Sequence, residues 1–248
     1  MHRFFLSPEN CKGNSLRLDG REAHHALHVL RLKRGDFVTV LDGVGNEFLC
    51  TVENSSRDSV ALVAREKNFT PPLPCQITLL QALPKGKIIE SVIQKSVELG
   101  AHRVVPILSK RIVAQLDDDS AEIKREKWQT VAIEAIKQCG AAWLPKIEAP
   151  TTIEKFPARK EKFDLALVGS LQKERRHPRE ILCEFEKTKG RLPKTVGVWI
   201  GPEGDFTLGE LKAIQDSGAL PISLGHLVLR VETAAIYCLS FLNYELNT

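Results

Sequence analysis

Three loops that contain glycine hold the residues of this sequence best placed to bind a ligand. They are Val168-Gly169-Ser170, Gly201-Pro202-Glu203-Gly204 and Leu224-Gly225-His226, and each follows a run of apolar residues. Glycine lets backbone N–H and C=O groups approach a ligand closely, and Pro202 restricts the shape of its loop. The simpler interpretation, that these are turn glycines of ordinary strand–helix connections, stays open for each loop taken singly.

The Gly201 loop runs directly into Thr207-x-x-Glu210, a capping box that opens a helix. A phosphate could therefore lie on the N-terminus of that helix. The loop matches neither G-x-x-x-x-G-K-S/T nor G-x-G-x-x-G, so a nucleoside triphosphate or a dinucleotide is a disfavoured ligand.

Arg230 and Glu232 are two charged residues in an apolar part of the chain. Charge is costly there unless it is paired or used. Two interpretations stay open: Glu232 or Thr233 caps the last helix while Arg230 pairs with Glu203 or Glu232, or these groups take part in chemistry.

The elements that position these loops alternate between strand and helix after residue 75. Apolar runs predict strands at residues 76–80, 103–108, 164–168, 196–200 and 220–224. Helical spacing predicts helices at residues 87–99, 119–139 (with Asp119-x-x-Glu122 as a capping box), 207–217 and 233–246. This alternation is typical of an α/β domain with a parallel sheet covered on both faces. Ligands bind outside the carboxyl ends of such strands, where all three loops would lie.

Residues 1–70 have a different pattern. Strands are predicted at 37–41, 47–52 and 59–63, with a single helix at 22–30, which suggests a small β-barrel. Pro71, Pro72 and Pro74 form a stiff linker. The predicted organisation is a barrel at 1–70, a linker at 71–74 and a larger domain at 75–248.

Composition excludes some classes of protein. The 248 residues carry 35 Lys and Arg against 31 Asp and Glu, a net charge of +4, which permits a nucleic-acid partner without requiring one. No apolar stretch approaches the ~18 residues of a membrane span, and Pro8 and Glu9 interrupt any signal region, so we expect a cytoplasmic protein. The six cysteines form no C-x-x-C pair, and none lies near the cluster His24, His25 and His28, so no metal site is expected.

Several motifs in order along the chain resemble the bacterial 16S rRNA uridine-N3 methyltransferase family of the SPOUT superfamily. The most specific are Ile200-Gly201-Pro202-Glu203-Gly204, Leu224-Gly225 and Val228-Leu229-Arg230-x-Glu232-Thr233-Ala234. The others are Gln81-Ala82-Leu83-x-Lys85-Gly86, Gln94-Lys95-x-x-Glu98-Leu99-Gly100, Trp128-Gln129, Glu134-x-x-x-Gln138-x-Gly140 and His25-x-x-x-Val29-Leu30-Arg31-x-Lys33-x-Gly35-Asp36.

The resemblance implies a PUA-like β-barrel that grips RNA, an α/β domain with a deep trefoil knot, and a homodimer. It also implies that S-adenosylmethionine is held in a bent shape by loops at 167–170, 201–204 and 224–230. The donor-binding residues carried over are Leu167, Val168, Gly169, Gly201, Pro202, Glu203, Gly204, Leu224, Gly225, Val228, Leu229 and Arg230. The periodicity of the sequence does not indicate a knot, which is rare among folds.

The implied reaction transfers a methyl group to N3 of a uridine in 16S rRNA of the small ribosomal subunit. Because that nitrogen carries a proton, a base must remove it, and Glu232 or Glu203 is the candidate. Arg230 is the candidate for stabilising charge on the uracil oxygens. The alternative function is a non-catalytic RNA-binding factor of ribosome assembly that retains the fold.

Candidate RNA contacts are basic or polar residues in both domains. They are Arg3, Arg21, Arg31, Lys33, Arg34, Lys85, Lys87, Lys95 and Gln138. Lys33-Arg34 could equally be a solvated turn, and Lys95 could form a surface ion pair with Glu98.

The sequence departs from the family pattern at three positions. Asp205 stands where a second glycine is usual, and Ala141 and Leu227 stand where arginine is common. The last two departures remove expected phosphate contacts.

Overall fold

The computed structural model describes residues 1–110, 118–159 and 161–247. The chain divides into two compact units. The first unit is Met1–Pro72 together with Ile133–Leu144, and the second unit is Leu73–Ala132 together with Pro145–Thr248.

The first unit contains a five-stranded sheet in the order β1-β3-β4-β5-β2. Its strands are β1 His2–Phe5, β2 Ser15–Asp19, β3 Phe37–Leu41, β4 Asn46–Ser55 and β5 Ser59–Phe69. β1 runs parallel to β3, and the other pairs are antiparallel. The three predicted strands are present, whereas β1 and β2 were not predicted from the sequence. Phe4, Leu16 and Leu18, on these two additional strands, are fully buried in the core of the unit.

The single helix predicted in this part of the chain has two segments. Helix α1, Gly20–His24, continues into a π-helix at His25–Val29, and Arg31 after it has a φ of 55°. A π-helical turn is uncommon and alters the direction of the side chains that follow.

The second unit is built on seven strands that pair only in parallel, in the order β12-β10-β11-β6-β7-β8 with β9 beside β7. The strands are β6 Gln76–Ala82, β7 Arg103–Leu108, β8 Lys146–Ile147, β9 Thr151–Thr152, β10 Leu165–Gly169, β11 Thr195–Ile200 and β12 Leu220–Ile222. The helices are α2 Ile88–Glu98, α3 Asp118–Cys139, α4 Lys155–Ala158, α5 Pro178–Lys189, α6 Leu208–Asp216 and α7 Val231–Asn247. The predicted parallel α/β architecture is therefore confirmed, while the trefoil knot stays a prediction.

One helix prediction needs correction, and two helices were not predicted. Helix α3 begins at Asp118, so Asp119 lies in its first turn and is not the capping residue. Helices α4 and α5 were missed. In α5 the clearest signals were Pro178 at its start and Gly190 at its end, because only a few apolar residues of this polar helix are buried. No helix in the described part of the chain is long and apolar enough to cross a membrane.

The division between Pro72 and Leu73 falls within the predicted linker, but the C-terminal end of α3, which lies in the predicted second domain, belongs to the first unit. Nη1 of Arg3 donates hydrogen bonds to the carbonyl oxygens of Lys137 (3.4 Å) and Gln138 (3.2 Å). The ammonium group of the buried Lys137 donates to Glu22 at 2.8 Å. Four carbonyls at the end of any helix lack a helical partner, so Arg3 satisfies two groups that would otherwise need water.

Gly140, directly after α3, has a φ of 82°, and a Cβ built on it would lie 2.9 Å from the Arg3 guanidinium. We expect Gly140→Ala to cost about 2–3 kcal/mol in the free energy of unfolding, because it adds backbone strain and displaces Arg3 from the carbonyls. Urea denaturation measures this cost.

Gly190→Ala is the matched control, since Gly190 ends α5 with a φ of 68° and has no atom within 4 Å of a built Cβ. It should cost only the strain, about 1–2 kcal/mol. The cost of Gly140→Ala in the free energy of unfolding should therefore exceed that of Gly190→Ala, and this difference should disappear when Arg3 is also changed to Ala. A difference that persists in the Arg3→Ala protein would contradict the role given to Arg3.

Candidate functional site

A cavity opens at the carboxyl ends of β10, β11 and β12, which are neighbours in the second sheet. Its empty space, the open mouth included, is about 590 Å³. The lining residues are Gly169, Ser170, Leu171, Arg175, Ile200, Gly201, Pro202, Glu203, Asp205, Leu224, Gly225, Leu227, Val228, Leu229, Val231 and Ala234. The three glycine loops therefore meet at one site, as expected.

Most of the predicted donor-binding residues line this cavity. Gly169, Gly201, Pro202, Glu203, Leu224, Gly225, Val228 and Leu229 do so. Leu167 and Val168 are instead fully buried within β10, and Gly204 and Arg230 only flank lining residues along the chain.

The loop after β11 leaves little room for a side chain at Gly201. A Cβ at Gly201 would lie 3.1 Å from Oδ1 of Asp205 and 3.4 Å from atoms of Phe206. A side chain at this position would therefore require Asp205 or Phe206 to shift by a few tenths of an ångström.

Asp205 shows why the family pattern has glycine at its position. Its φ is 61°, in the left-handed region, where residues other than glycine are uncommon and Asp is among the better tolerated. Its Oδ1 also accepts a hydrogen bond from the N–H of Phe206 at 2.8 Å, which stabilises the turn locally. The departure from glycine thus keeps the shape of the loop.

Helix α6, which follows this loop, has the predicted capping box. Thr207 and Glu210 satisfy each other's backbone N–H groups, and Glu210 also accepts a hydrogen bond from the N–H of Lys110 at 2.7 Å. Burial opposes ionisation of Glu210, but the hydrogen bonds from Lys110 and Thr207 outweigh it and lower its pKa. Ionised Glu210 therefore stabilises the junction between the loop and α6 at pH values above the usual pKa of a carboxyl group. That contribution is lost as the pH falls through the lowered pKa.

Glu203 lies at the rim of the cavity and joins two loops. Its Oε1 accepts a hydrogen bond from the backbone N–H of Lys85 at 3.0 Å. The segment that follows β6 is therefore held to the loop that follows β11. Lys85 was predicted as an RNA contact. Its backbone N–H forms this hydrogen bond to a residue of the cavity lining, and its side chain is exposed.

The start of α7 decides one of the alternatives left open by the sequence. The helix begins at Val231, so Arg230 occupies the capping position and its carbonyl accepts from the N–H of Ala234 at 2.8 Å. Capping by Glu232 or Thr233 is therefore wrong. In the described part of the chain no ion pair involves Arg230 or Glu232, so pairing of Arg230 with Glu203 or Glu232 is not found either.

Three of the candidate RNA contacts are engaged within their own unit. Arg3 caps α3 as described, Arg21 lies 3.2 Å from Glu134, and Lys95 donates to Glu98 at 2.9 Å. Exposed side chains are found at Arg31, Lys33, Arg34, Lys85, Lys87 and Gln138.

Sequence reasoning missed Leu171 and Arg175, which line the cavity in the segment between β10 and α5. The available signal was the basic run Lys173-Glu174-Arg175-Arg176 just after the Gly169 loop. In the described residues no group of three or more His, Cys, Asp or Glu side chains could hold a metal ion.

Comparison with known sequences adds two family matches. A family described as RNA methyltransferase domain matches residues 71–243, and one described as RNA methyltransferase PUA domain matches residues 18–64. The ribosomal RNA small subunit methyltransferase E of Bacillus subtilis is 32% identical over 251 residues, covering 99% of this chain and 97% of the relative. The protein of that name from Synechocystis is 31% identical, covering 100% of this chain and 78% of the relative.

A solved structure with bound S-adenosylmethionine is also similar. It is a putative methyltransferase of Legionella pneumophila, 30% identical, with a TM-score of 0.86 over 98% of this chain and 97% of that one. A Neisseria gonorrhoeae methyltransferase E structure has the same TM-score at 23% identity, covers 99% of this chain and 98% of that one, and shows the shared fold.

Asp205 provides a direct test of the loop after β11. We expect Asp205→Gly to change the free energy of unfolding by less than about 1 kcal/mol, because glycine adopts a positive φ freely and offsets the lost hydrogen bond. Asp205→Ala should cost about 2 kcal/mol, since it loses that bond and keeps the strain. Thermal denaturation measures both, with Asp216→Ala, an exposed Asp at the end of α6, as the control. Equal effects of the Gly and Ala substitutions would contradict the assignment.

Proposed function

Because this chain belongs to the RNA methyltransferase family, we propose that it transfers a methyl group from S-adenosylmethionine to N3 of a uridine in 16S rRNA of the small ribosomal subunit. The observation that carries the proposal is the cavity where three glycine loops meet, in a chain 30% identical to a structure that holds S-adenosylmethionine. Acting on ribosomal RNA, the protein would work in the cytoplasm.

The residues around the cavity fit this methyl donor. Apolar side chains of Ile200, Leu224, Leu229 and Val231 can contact an adenine ring. The carboxylates of Glu203 and Asp205 suit a molecule that carries positive charge. Gly201 has no side chain, and its backbone lines the cavity. When bound, S-adenosylmethionine supplies an electrophilic methyl group on a sulfonium.

The protein must then remove the N3 proton and hold the uracil in line with the methyl group. Glu232 is the stronger candidate for the base. Glu203 uses Oε1 to accept a hydrogen bond from the backbone N–H of Lys85. Glu232 is half-buried in the first turn of α7 and makes no ion pair in the described part of the chain. Arg230, exposed beside it, can offer its guanidinium to the uracil oxygens.

The alternative of a non-catalytic assembly factor is not favoured, since the glycine loops are intact and form a cavity. Calorimetric titration with S-adenosylmethionine separates the two functions, because an assembly factor without donor binding would show no heat at millimolar donor.

The trefoil knot and the homodimer are part of the proposal as well.

The principal test is methylation of small subunits that lack the modification, with the product base identified. We expect the wild-type protein to produce 3-methyluridine. Glu232→Gln should lower the rate about 10²- to 10⁴-fold, the usual size of a lost general base, while calorimetry shows unchanged donor affinity. Methyl on a cytosine, a ribose or a uracil carbon would contradict the proposed specificity, and near-normal turnover of Glu232→Gln would contradict the assigned base.

The exposed face of α7 supports the proposed homodimer. Tyr237 and Tyr244 lie two turns apart on this helix and are 51% and 71% exposed. Large aromatic side chains on a surface are typical of protein interfaces. We expect light scattering to give a mass of two chains for the wild-type protein and a shift towards one chain for Tyr237→Glu. Lys212→Glu, an exposed change on α6, is the control, and a wild-type mass of one chain at micromolar concentration would overturn the proposal.

A further inference from the structure

Arg175 is a half-buried arginine in the wall of the candidate site. It lies in the segment between β10 and α5 and lines the cavity together with Leu171 and Gly225. Its Nη1 donates a hydrogen bond to the carbonyl oxygen of Ser170 at 3.3 Å. That contact holds the guanidinium beside the loop after β10 and occupies one of its five N–H donors.

The charge of Arg175 has no acidic partner in the described part of the chain. The neighbouring Arg176 differs, because its Nη2 lies 2.6 Å from the carboxylate of Glu184 on α5. A half-buried cation without a counter-charge is costly, so its position in a cavity wall indicates an anionic group of a ligand. The planar guanidinium is the side chain best suited to a carboxylate.

The other charged residues in the lining are acidic and partly engaged. Glu203 accepts from the N–H of Lys85, and Asp205 accepts from the N–H of Phe206. Together with Arg175 they give the lining two negative charges and one positive charge. S-adenosylmethionine has the opposite pattern, with two cationic groups and one carboxylate, so the two distributions are complementary.

We propose that Arg175 binds the carboxylate of the methyl donor and thereby fixes which end of the donor faces the loop after β10. The inference rests on the proposed function. A donor carboxylate is favoured over an RNA phosphate because Arg175 is half-buried inside the cavity, whereas the adjacent Lys173 and Arg176 are exposed. Arg175 is in this sense a determinant of donor specificity rather than a group that takes part in methyl transfer.

Calorimetry with three ligands tests the assignment. The ligands are S-adenosylmethionine, its decarboxylated analogue, which lacks only the carboxylate, and methylthioadenosine, which lacks the whole amino-acid end. We expect the wild-type protein to bind S-adenosylmethionine about 10- to 100-fold more tightly than the decarboxylated analogue, the usual effect of a charged hydrogen-bonded contact. Arg175→Ala should bring this ratio close to one without changing the affinity for methylthioadenosine, which also shows that the variant is folded.

Arg176→Ala is the matched control, because it removes an adjacent arginine that is exposed and paired with Glu184. It should keep the wild-type ratio, and Arg175→Lys should keep part of it. An unchanged ratio of the two affinities in Arg175→Ala would overturn the inference. Unchanged donor binding together with a raised KM for the ribosomal subunit would also overturn it, because that result would identify Arg175 as a contact to an RNA phosphate. If the wild-type protein bound none of the three ligands, the proposed function itself would fail.

Discussion

The parallel direction of every strand pair in the second unit is the constraint on which the candidate site depends. Because all seven strands run the same way, their carboxyl ends lie on one edge of the sheet. The order β12-β10-β11 then makes neighbours of three loops that follow Gly169, Ile200 and Ile222 and are separate in sequence. An antiparallel strand in this group would carry its loop to the opposite edge and leave the cavity without one wall.

Close approach of the backbone to a ligand limits the residues that these loops can contain. Around Gly201 the space for a side chain is taken by Asp205 and Phe206. Asp205 occupies the left-handed conformation at an energetic cost that its hydrogen bond to the N–H of Phe206 reduces. The loop is thus closed by contacts within itself and rigidly joined to α6 through Thr207 and Glu210. Such a loop needs little reordering when a ligand binds.

Local patterns in the sequence predict the parts of this fold that local physics determines. The apolar runs locate the central strands, and Thr207-x-x-Glu210 locates the start of α6. Contacts between distant residues could not be predicted in this way. Arg3 looks like a free surface cation in the sequence, yet it caps a helix that ends 136 residues later. Arg175 became a candidate only when the structure placed it in the cavity wall.

The cations available for RNA differ in how readily they can change partners. Exposed ion pairs such as Arg21 with Glu134 stabilise a protein by at most about 1 kcal/mol, so a phosphate can replace the carboxylate at little cost. Arg3 is different, since leaving the carbonyls of Lys137 and Gln138 would uncap α3. The net charge of +4 therefore conceals two populations of cations. Those in exposed turns, such as Lys33 and Arg34, can contact RNA at no structural cost, whereas Arg3 is committed to the fold.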